Sequence, residues 1–213
     1  MKKKILLVLI ISLFIVPAVF SYTPFMYTFV IDSSSSVSDK DFKVANENIA
    51  AAINYLYKLS QQYPGRVANQ ISVAWFGGKD DYYWTPYFNG SDKASMGALL
   101  KELVYKRHPK FNRTAIYSSI LKGTITSLKR EEQIGYRYFK VIFLITDGSD
   151  NDSVAKHKQQ VRQLFPNEEC FLCVIGVGSG AKVDEYKNDA NYVAKINDFG
   201  KIFGIFAEIN ERF

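Results

Sequence analysis

Three stretches of this chain place oxygen-bearing side chains where apolar runs stop. Phe29, Val30 and Ile31 lead straight into Asp32, Ser33, Ser34, Ser35 and Ser36; Tyr138 to Ile145 ends in Thr146, Asp147, Gly148, Ser149 and Asp150; and Thr114 opens a helical pattern after the loop Pro109 to Arg113. A buried parallel strand is apolar throughout because helices cover both its faces, and ligands in such sheets bind just beyond the carboxyl ends of the strands. Asp32 and Asp147 each stand at such an end. Alternate positions of a turning loop direct Asp32, Ser34 and Ser36 at one point, and hard oxygen donors suit Mg²⁺, Mn²⁺ or Ca²⁺ rather than zinc. For the first stretch alone, a serine-rich turn capped by an aspartate is the plain alternative.

The elements that must position these groups alternate. Tyr27 to Ile31 reads as a first strand. Ser38 with Asp41 forms a capping box for a long helix whose apolar face is Phe42, Ile49, Ile53, Leu56 and Leu59. Ile71 to Phe76 is a second strand, and after the turn Gly77 to Asp81 the aromatic-rich Tyr82 to Phe88 returns as an antiparallel hairpin partner. A helix carrying Met96, Leu99, Leu100, Leu103 and Val104 follows, then one from Thr114 with Ile116, Ile120 and Ile125 on its apolar face. After Tyr138 to Ile145 come a helix with Val154, Val161 and Leu164, the strand Phe171 to Val177, and a short helix near Val183 to Asn188. A last strand at Tyr192 to Ile196 and a helix with Phe199, Ile202, Phe203, Phe206 and Ile209 complete the pattern. Strands alternating with helices specify an α/β fold: a doubly wound, mostly parallel central sheet with one antiparallel edge strand and helices on both faces.

Composition bounds the function. Lys2, Lys3 and Lys4 precede an apolar run from Ile5 to Phe20, with Val19 and Ser21 where a signal peptidase would read, so residues 1–21 are expected to be a secretory signal and 22–213 a single domain. Sixteen apolar residues broken by Pro17 fall short of the roughly 20 that a bilayer span needs. The expected product is secreted, without a membrane span once the signal is removed. The net charge of +6 includes those three lysines, and no dense basic stripe points to nucleic acid; Lys106, Arg107, His108 and Lys110 read as a solvated helix end. Cys170 and Cys173 form a CxxC inside a strand pattern, where residues three apart face opposite ways, so buried free thiols are expected rather than a redox pair. Catalysis is not expected either: His108 and His157 pair with no serine or cysteine nucleophile in the sequence pattern, and no phosphate-binding glycine loop is present.

The ordered set Asp32-x-Ser34-x-Ser36, then Thr114, then Asp147 in a Thr-Asp-Gly resembles the metal-ion-dependent adhesion site of von Willebrand factor type A (vWA) domains, and Ile175 to Gly178 extends the likeness across the mature chain. The resemblance implies a Rossmann-like fold and a divalent cation, Mg²⁺ or else Mn²⁺ or Ca²⁺. Ser34, Ser36 and sometimes Thr114 would coordinate directly, and Asp32 and Asp147 often through water. Two carboxylates balance the ion and three hydroxyls add no charge, so an open position attracts an Asp or Glu of a protein ligand. In several members occupancy is coupled to movement of the last helix, here about Asp198 to Arg212. A metal-independent scaffold within an extracellular complex and a metal-dependent hydrolase are the alternatives. Arg113 and Ser149 are candidates for the ligand rim, while Asp150 and Asp152 read as N-terminal caps of the following helix. Two departures stand out: Phe111, Asn112 and Arg113 occupy a loop where many members have glycine, and the glycosylation sequons at Asn112 and Asn151, unlike that at Asn89, fall close to the metal rim.

Overall fold

The computed structural model describes residues 23–105, 110–165 and 168–213; the segment read as a secretory signal, the side chain of Val104 and Lys106, Arg107 and His108 of the basic cluster lie outside them. The strands are β1 (Phe25–Asp32), β2 (Gln70–Phe76), β3 (Tyr82–Trp84), β4 (Phe88–Asn89), β5 (Phe139–Thr146), β6 (Cys170–Val177) and β7 (Tyr192–Ile196). The helices are α1 (Asp39–Gln61), α2 (Lys93–Tyr105), α3 (Ile116–Ile134), α4 (Ala155–Leu164) and α5 (Ile202–Asn210), with 3-10 turns at Val183–Tyr186 and Phe199–Lys201. They build one seven-stranded sheet in the order β3-β2-β1-β5-β6-β7, with β4 also on β2. Strands β2, β1, β5, β6 and β7 are parallel to their neighbours, whereas β3 and β4 run antiparallel to β2.

Strand alternation sorts the core into two layers. Tyr27, Phe29 and Ile31 of β1 and Val141, Phe143 and Ile145 of β5 pack with Ile49, Ile53 and Leu56 of α1, Leu99 of α2 and Phe206 of α5. Val30, Ile142 and Leu144 face the other way, onto Ile116 and Ile120 of α3 and Val161 of α4. Residues of opposite parity therefore meet different helices, as the period of two requires. From β1 the chain moves outward to β2 and β3 and then returns to β5 on the other flank of β1. The reversal makes the carboxyl ends of β1 and β5 the switch point where such sheets bind ligands.

Local devices follow the sequence closely in α1. Ser38 Oγ accepts from Asp41 N at 3.1 Å, the N-cap half of the expected capping box, and donates to Asp41 Oδ2 at 2.6 Å. Helix α3 ends at Gly135, whose φ of 69° is a left-handed conformation that favours glycine.

The expected strand Tyr82 to Phe88 is two pieces. After Trp84, the Thr85 hydroxyl takes the Val73 N–H at 2.9 Å while Thr85 N donates to Val73 O at 2.9 Å. Pro86 then has no N–H to offer, and pairing with β2 resumes only at Phe88. Ile125 and Val154 also depart from expectation: both are exposed. The buried face of α3 beyond Ile120 is instead made by Leu121, Gly123, Thr124 and Ser127. Thr124 and Ser127 can be buried there because their hydroxyls donate to Ile120 O and Thr124 O of their own helix.

Both cysteines are free and buried, and they sit on opposite faces of β6: Cys173 in the layer with α1, Cys170 in the layer with α3. Burial pushes both thiols up, well away from the range where thiolates attack. The native protein is expected to react with a thiol reagent at neither cysteine until it is unfolded, which a colorimetric titration with and without denaturant measures. In the same strand, a Cβ at Gly176 would lie 2.0 Å from Val183 Cγ1 and 2.9 Å from Ala181 Cβ. Gly176→Ala is therefore expected to cost about 1–3 kcal/mol by overpacking, read from the midpoint of urea unfolding.

Candidate metal site at the carboxyl end of the sheet

Asp32 is the last residue of β1 and has no exposed surface. Its carboxylate is gripped from two sides: Oδ1 accepts from Ser34 N at 2.8 Å, and Oδ2 accepts from the Thr146 hydroxyl at 2.6 Å. Thr146 ends β5, the neighbouring strand, and its oxygen in turn accepts from Gly148 N at 3.2 Å. The serine loop then bridges the two strand ends. Ser36 Oγ donates to Asp147 Oδ1 at 3.0 Å, and Ser34 Oγ lies 2.8 Å from Ser36 Oγ. A hydroxyl has one proton, so with Ser36 donating to Asp147 it is Ser34 that donates to Ser36. The proton order leaves acceptor lone pairs on both serines.

Thr114 reaches the same end of the sheet by another route. The Phe111 N–H donates to Ser33 O at 2.9 Å, Phe111 bridges to Ser34, and Ala115 N donates to Gly77 O at 2.7 Å. The Thr114 hydroxyl faces the Asp147 loop, 3.9 Å from where a Cβ on Gly148 would stand. All five predicted residues are thus at the switch point, four of them in one hydrogen-bonded chain and Thr114 beside it. Gly77 makes room for the Phe111 to Arg113 loop: a Cβ on Gly77 would come within 2.0 Å of Phe111 Cβ.

The electrostatics suit a cation. Burial raises the Asp32 carboxyl to about 6, with the Thr146 and Ser34 hydrogen bonds opposing and the Asp147 charge adding to the rise. Burial raises Asp147 as well, helped by Asp41 and opposed by the Ser36 hydroxyl. Relative to the same carboxyl in water, ionising Asp32 here costs on the order of 3 kcal/mol. Among the described residues no lysine or arginine acts on either carboxylate. Nor do three His, Cys, Asp or Glu side chains gather anywhere among them. The donor set is two carboxylates with three hydroxyls, which fits a hard divalent ion and not a soft one.

Arg113 is ion-paired with Asp152, Nη1 to Oδ1 at 2.8 Å, rather than standing free over the site. Ser149 is half-buried on the Asp147 loop. Asp152 Oδ2 also accepts from Lys79 N at 3.0 Å, tying the β2–β3 turn to the same place. Asp150 is a helix cap, but of α3: its Oδ1 accepts from Ile116 N at 3.1 Å, while α4 starts at Val154 without a side-chain cap. Lys110, the described member of the basic cluster, pairs with Asp39 at 2.8 Å and donates to Val37 O at 3.1 Å, clasping the serine loop. His157 does meet a serine, contrary to the sequence reading: its Nδ1 is 2.9 Å from Ser118 Oγ. Ser118 is buried and His157 half-buried, and the pair ties α3 to α4. Sequence reasoning missed Thr146, whose place directly before Asp147 at the end of an apolar strand was the available signal.

The sequence matches the von Willebrand factor type A domain over residues 28–205. No curated protein is detectably similar in sequence. Among solved structures, a von Willebrand factor type A protein from Catenulispora acidiphila superposes with a TM-score of 0.69 at 18% identity, over 88% of this chain and 42% of the other. Proximal thread matrix protein 1 of the mussel byssus, solved with a zinc-occupied MIDAS motif (the metal-ion-dependent adhesion site), gives 0.64 at 22% identity, over 88% and 45%. The pilus adhesin SpaC of Lactobacillus rhamnosus GG in its open conformation gives 0.64 at 10% identity, over 90% and 30%. At these identities the structures share the fold, and this chain spans less than half of each. The match over most of its length, and the parallel sheet that carries it, establish that the chain belongs to the von Willebrand factor type A family.

Proposed function

We propose that this chain is an exported, divalent-cation-dependent protein-binding module whose metal-ion-dependent adhesion site is formed by Asp32, Ser34, Ser36, Thr114 and Asp147. The observation that carries the reading is the continuous hydrogen-bonded run from Asp32 through Ser34 and Ser36 to Asp147 at the switch point, with the Thr114 hydroxyl alongside. When bound, the cation supplies a Lewis-acidic position for one carboxylate oxygen of a protein partner. Each residue has a separate task. Asp32 and Asp147 provide the charge that balances the ion. The three hydroxyls add donors without further charge, which leaves the ion attractive to an Asp or Glu from outside. Thr146 and Ser34 N hold the Asp32 carboxylate in one orientation. The family commonly mediates protein–protein interaction, and the zinc-occupied site of the mussel protein supports a metal at this position.

Binding rather than catalysis is the role assigned. Ser118 and His157 are spent in joining two helices, and Asp41, the further acidic group that acts on Asp147, is engaged with Ser38 at the start of α1. No described helix is long and apolar enough to cross a membrane.

Calorimetric titration with Mg²⁺, Mn²⁺, Ca²⁺ and Zn²⁺ is expected to show one site with a preference for the hard ions. Asp147→Ala is expected to abolish that binding while the chelated protein melts close to the wild type, since the residue lies on a loop. Capture of partners from extracellular medium should disappear in EDTA; equal capture with and without chelator would exclude a metal-bridged contact and favour a scaffold role. Gly77→Ala, which drives a methyl group into Phe111, is expected to displace the Thr114 loop and weaken Mg²⁺ binding about tenfold, measured in the same titration.

A further inference from the structure

Helix α3 does not cap itself. Its N-cap residue is Ala115, which has no side-chain hydrogen bond to give. The amides of its first turn donate instead to side chains from the loop after β5: Ile116 N to Asp150 Oδ1 at 3.1 Å and Ser118 N to Ser153 Oγ at 3.0 Å. One position earlier, Thr114 N donates to Asn151 Oδ1 at 2.9 Å. The exchange is mutual, because Asn151 N and Asp152 N both donate to Thr114 O, at 2.9 and 3.2 Å. Asn151 therefore grips the backbone of Thr114 from both sides of the peptide. Of the residues that spell the glycosylation sequon at Asn151, Ser153 caps the first turn of α3 and Asn151 holds Thr114, the residue before the N-cap.

We propose that Asn151 is a positioning residue for the metal site, which makes cation binding and the capping of α3 a single coupled equilibrium. The inference rests on the metal-binding reading above. Asp147 and Asn151 belong to one short loop, pinned to the end of β5 by the bond from Gly148 N to Thr146 Oγ1. One end of that loop carries a proposed ligand, and the other holds the backbone of Thr114, a second proposed ligand on a different element. An ion that draws Asp147 and the Thr114 hydroxyl to a common point also seats Asp150, Asn151 and Ser153 on the first turn of α3. By linkage, loosening the cap weakens the ion to the same degree that the ion tightens the cap. Removing an outer partner of a metal ligand typically costs 10–100-fold in affinity.

The test compares Mg²⁺ titration of the wild type, Asn151→Ala, Asn151→Asp and Asp147→Ala with residue-resolved amide exchange in Mg²⁺ and in EDTA. Asn151→Ala is expected to bind Mg²⁺ about 10–100-fold more weakly, and Asn151→Asp, which keeps an oxygen acceptor for Thr114 N, to bind at least as tightly as the wild type. In the wild type Mg²⁺ is expected to slow exchange at the Thr114, Ile116 and Ser118 amides, and this protection should vanish in Asp147→Ala. Wild-type affinity in Asn151→Ala, failure of Asn151→Asp to restore it, or amide exchange in the wild type indifferent to Mg²⁺ would overturn the coupling. If Asp147→Ala loses the metal while Asn151→Ala keeps it, only the coupling fails. If the wild type binds no metal, both readings fall. Should Asn151→Ala not fold, the wild-type exchange pattern decides alone.

Discussion

An aspartate with no exposed surface, lodged where two parallel strands end, governs the architecture of this protein. Burial penalises its charged form, and two short hydrogen bonds hold the carboxylate without matching what water would have given it. Everything at this end of the sheet converges on that group. The serine loop folds back over it, β5 sends a threonine hydroxyl to it, and the second carboxylate is brought near enough to repel it. A sheet built only for stability would place an apolar residue there. The fold tolerates the charge because the buried hydrophobic side chains of the described residues, spread mostly over two layers, support the strands on either side.

Loops from four different connections meet around this point, and each is fastened by something other than itself. Lys110 clasps the serine loop, Gly77 makes room for Phe111, Asp152 joins the β2–β3 turn to Arg113, and residues 150–153 close the start of α3. The rim charges that the sequence offers to a ligand are partly used in these fastenings. Arg113 is the clearest case: its charge is answered within the molecule by Asp152.

The sequence announced the layers well. Long periodic segments such as α1 and the uninterrupted apolar runs of β1 and β5 read correctly, because periodicity and burial are local properties summed over many residues. The opposite orientation of Cys170 and Cys173 followed from strand parity alone, and the five oxygen-bearing residues were legible because each stands where an apolar run or a loop gives way. What did not read locally was tertiary. Thr85 replacing a ladder acceptor, Asp150 and Ser153 capping a helix more than thirty residues earlier in the chain, and Gly77 making room for Phe111 all depend on which loops meet in space. Ile125 was assigned to a buried face by hydrophobicity, yet small hydroxyl residues occupy it, since they let the helix approach β1 closely: Gly123 leaves Val30 only 3.6 Å from where a side chain would begin.

The broken partner strand at the β2 flank has a bearing on how molecules of this protein coexist at high concentration. An open sheet margin invites another chain to continue the ladder. Here the invitation is curtailed: β3 offers three residues, Thr85 turns its hydroxyl inward to Val73, and Pro86 withholds a donor before β4 begins. A neighbour attempting to continue the ladder along that border would meet a break after the three residues of β3, whereas the opposite margin at β7 carries five.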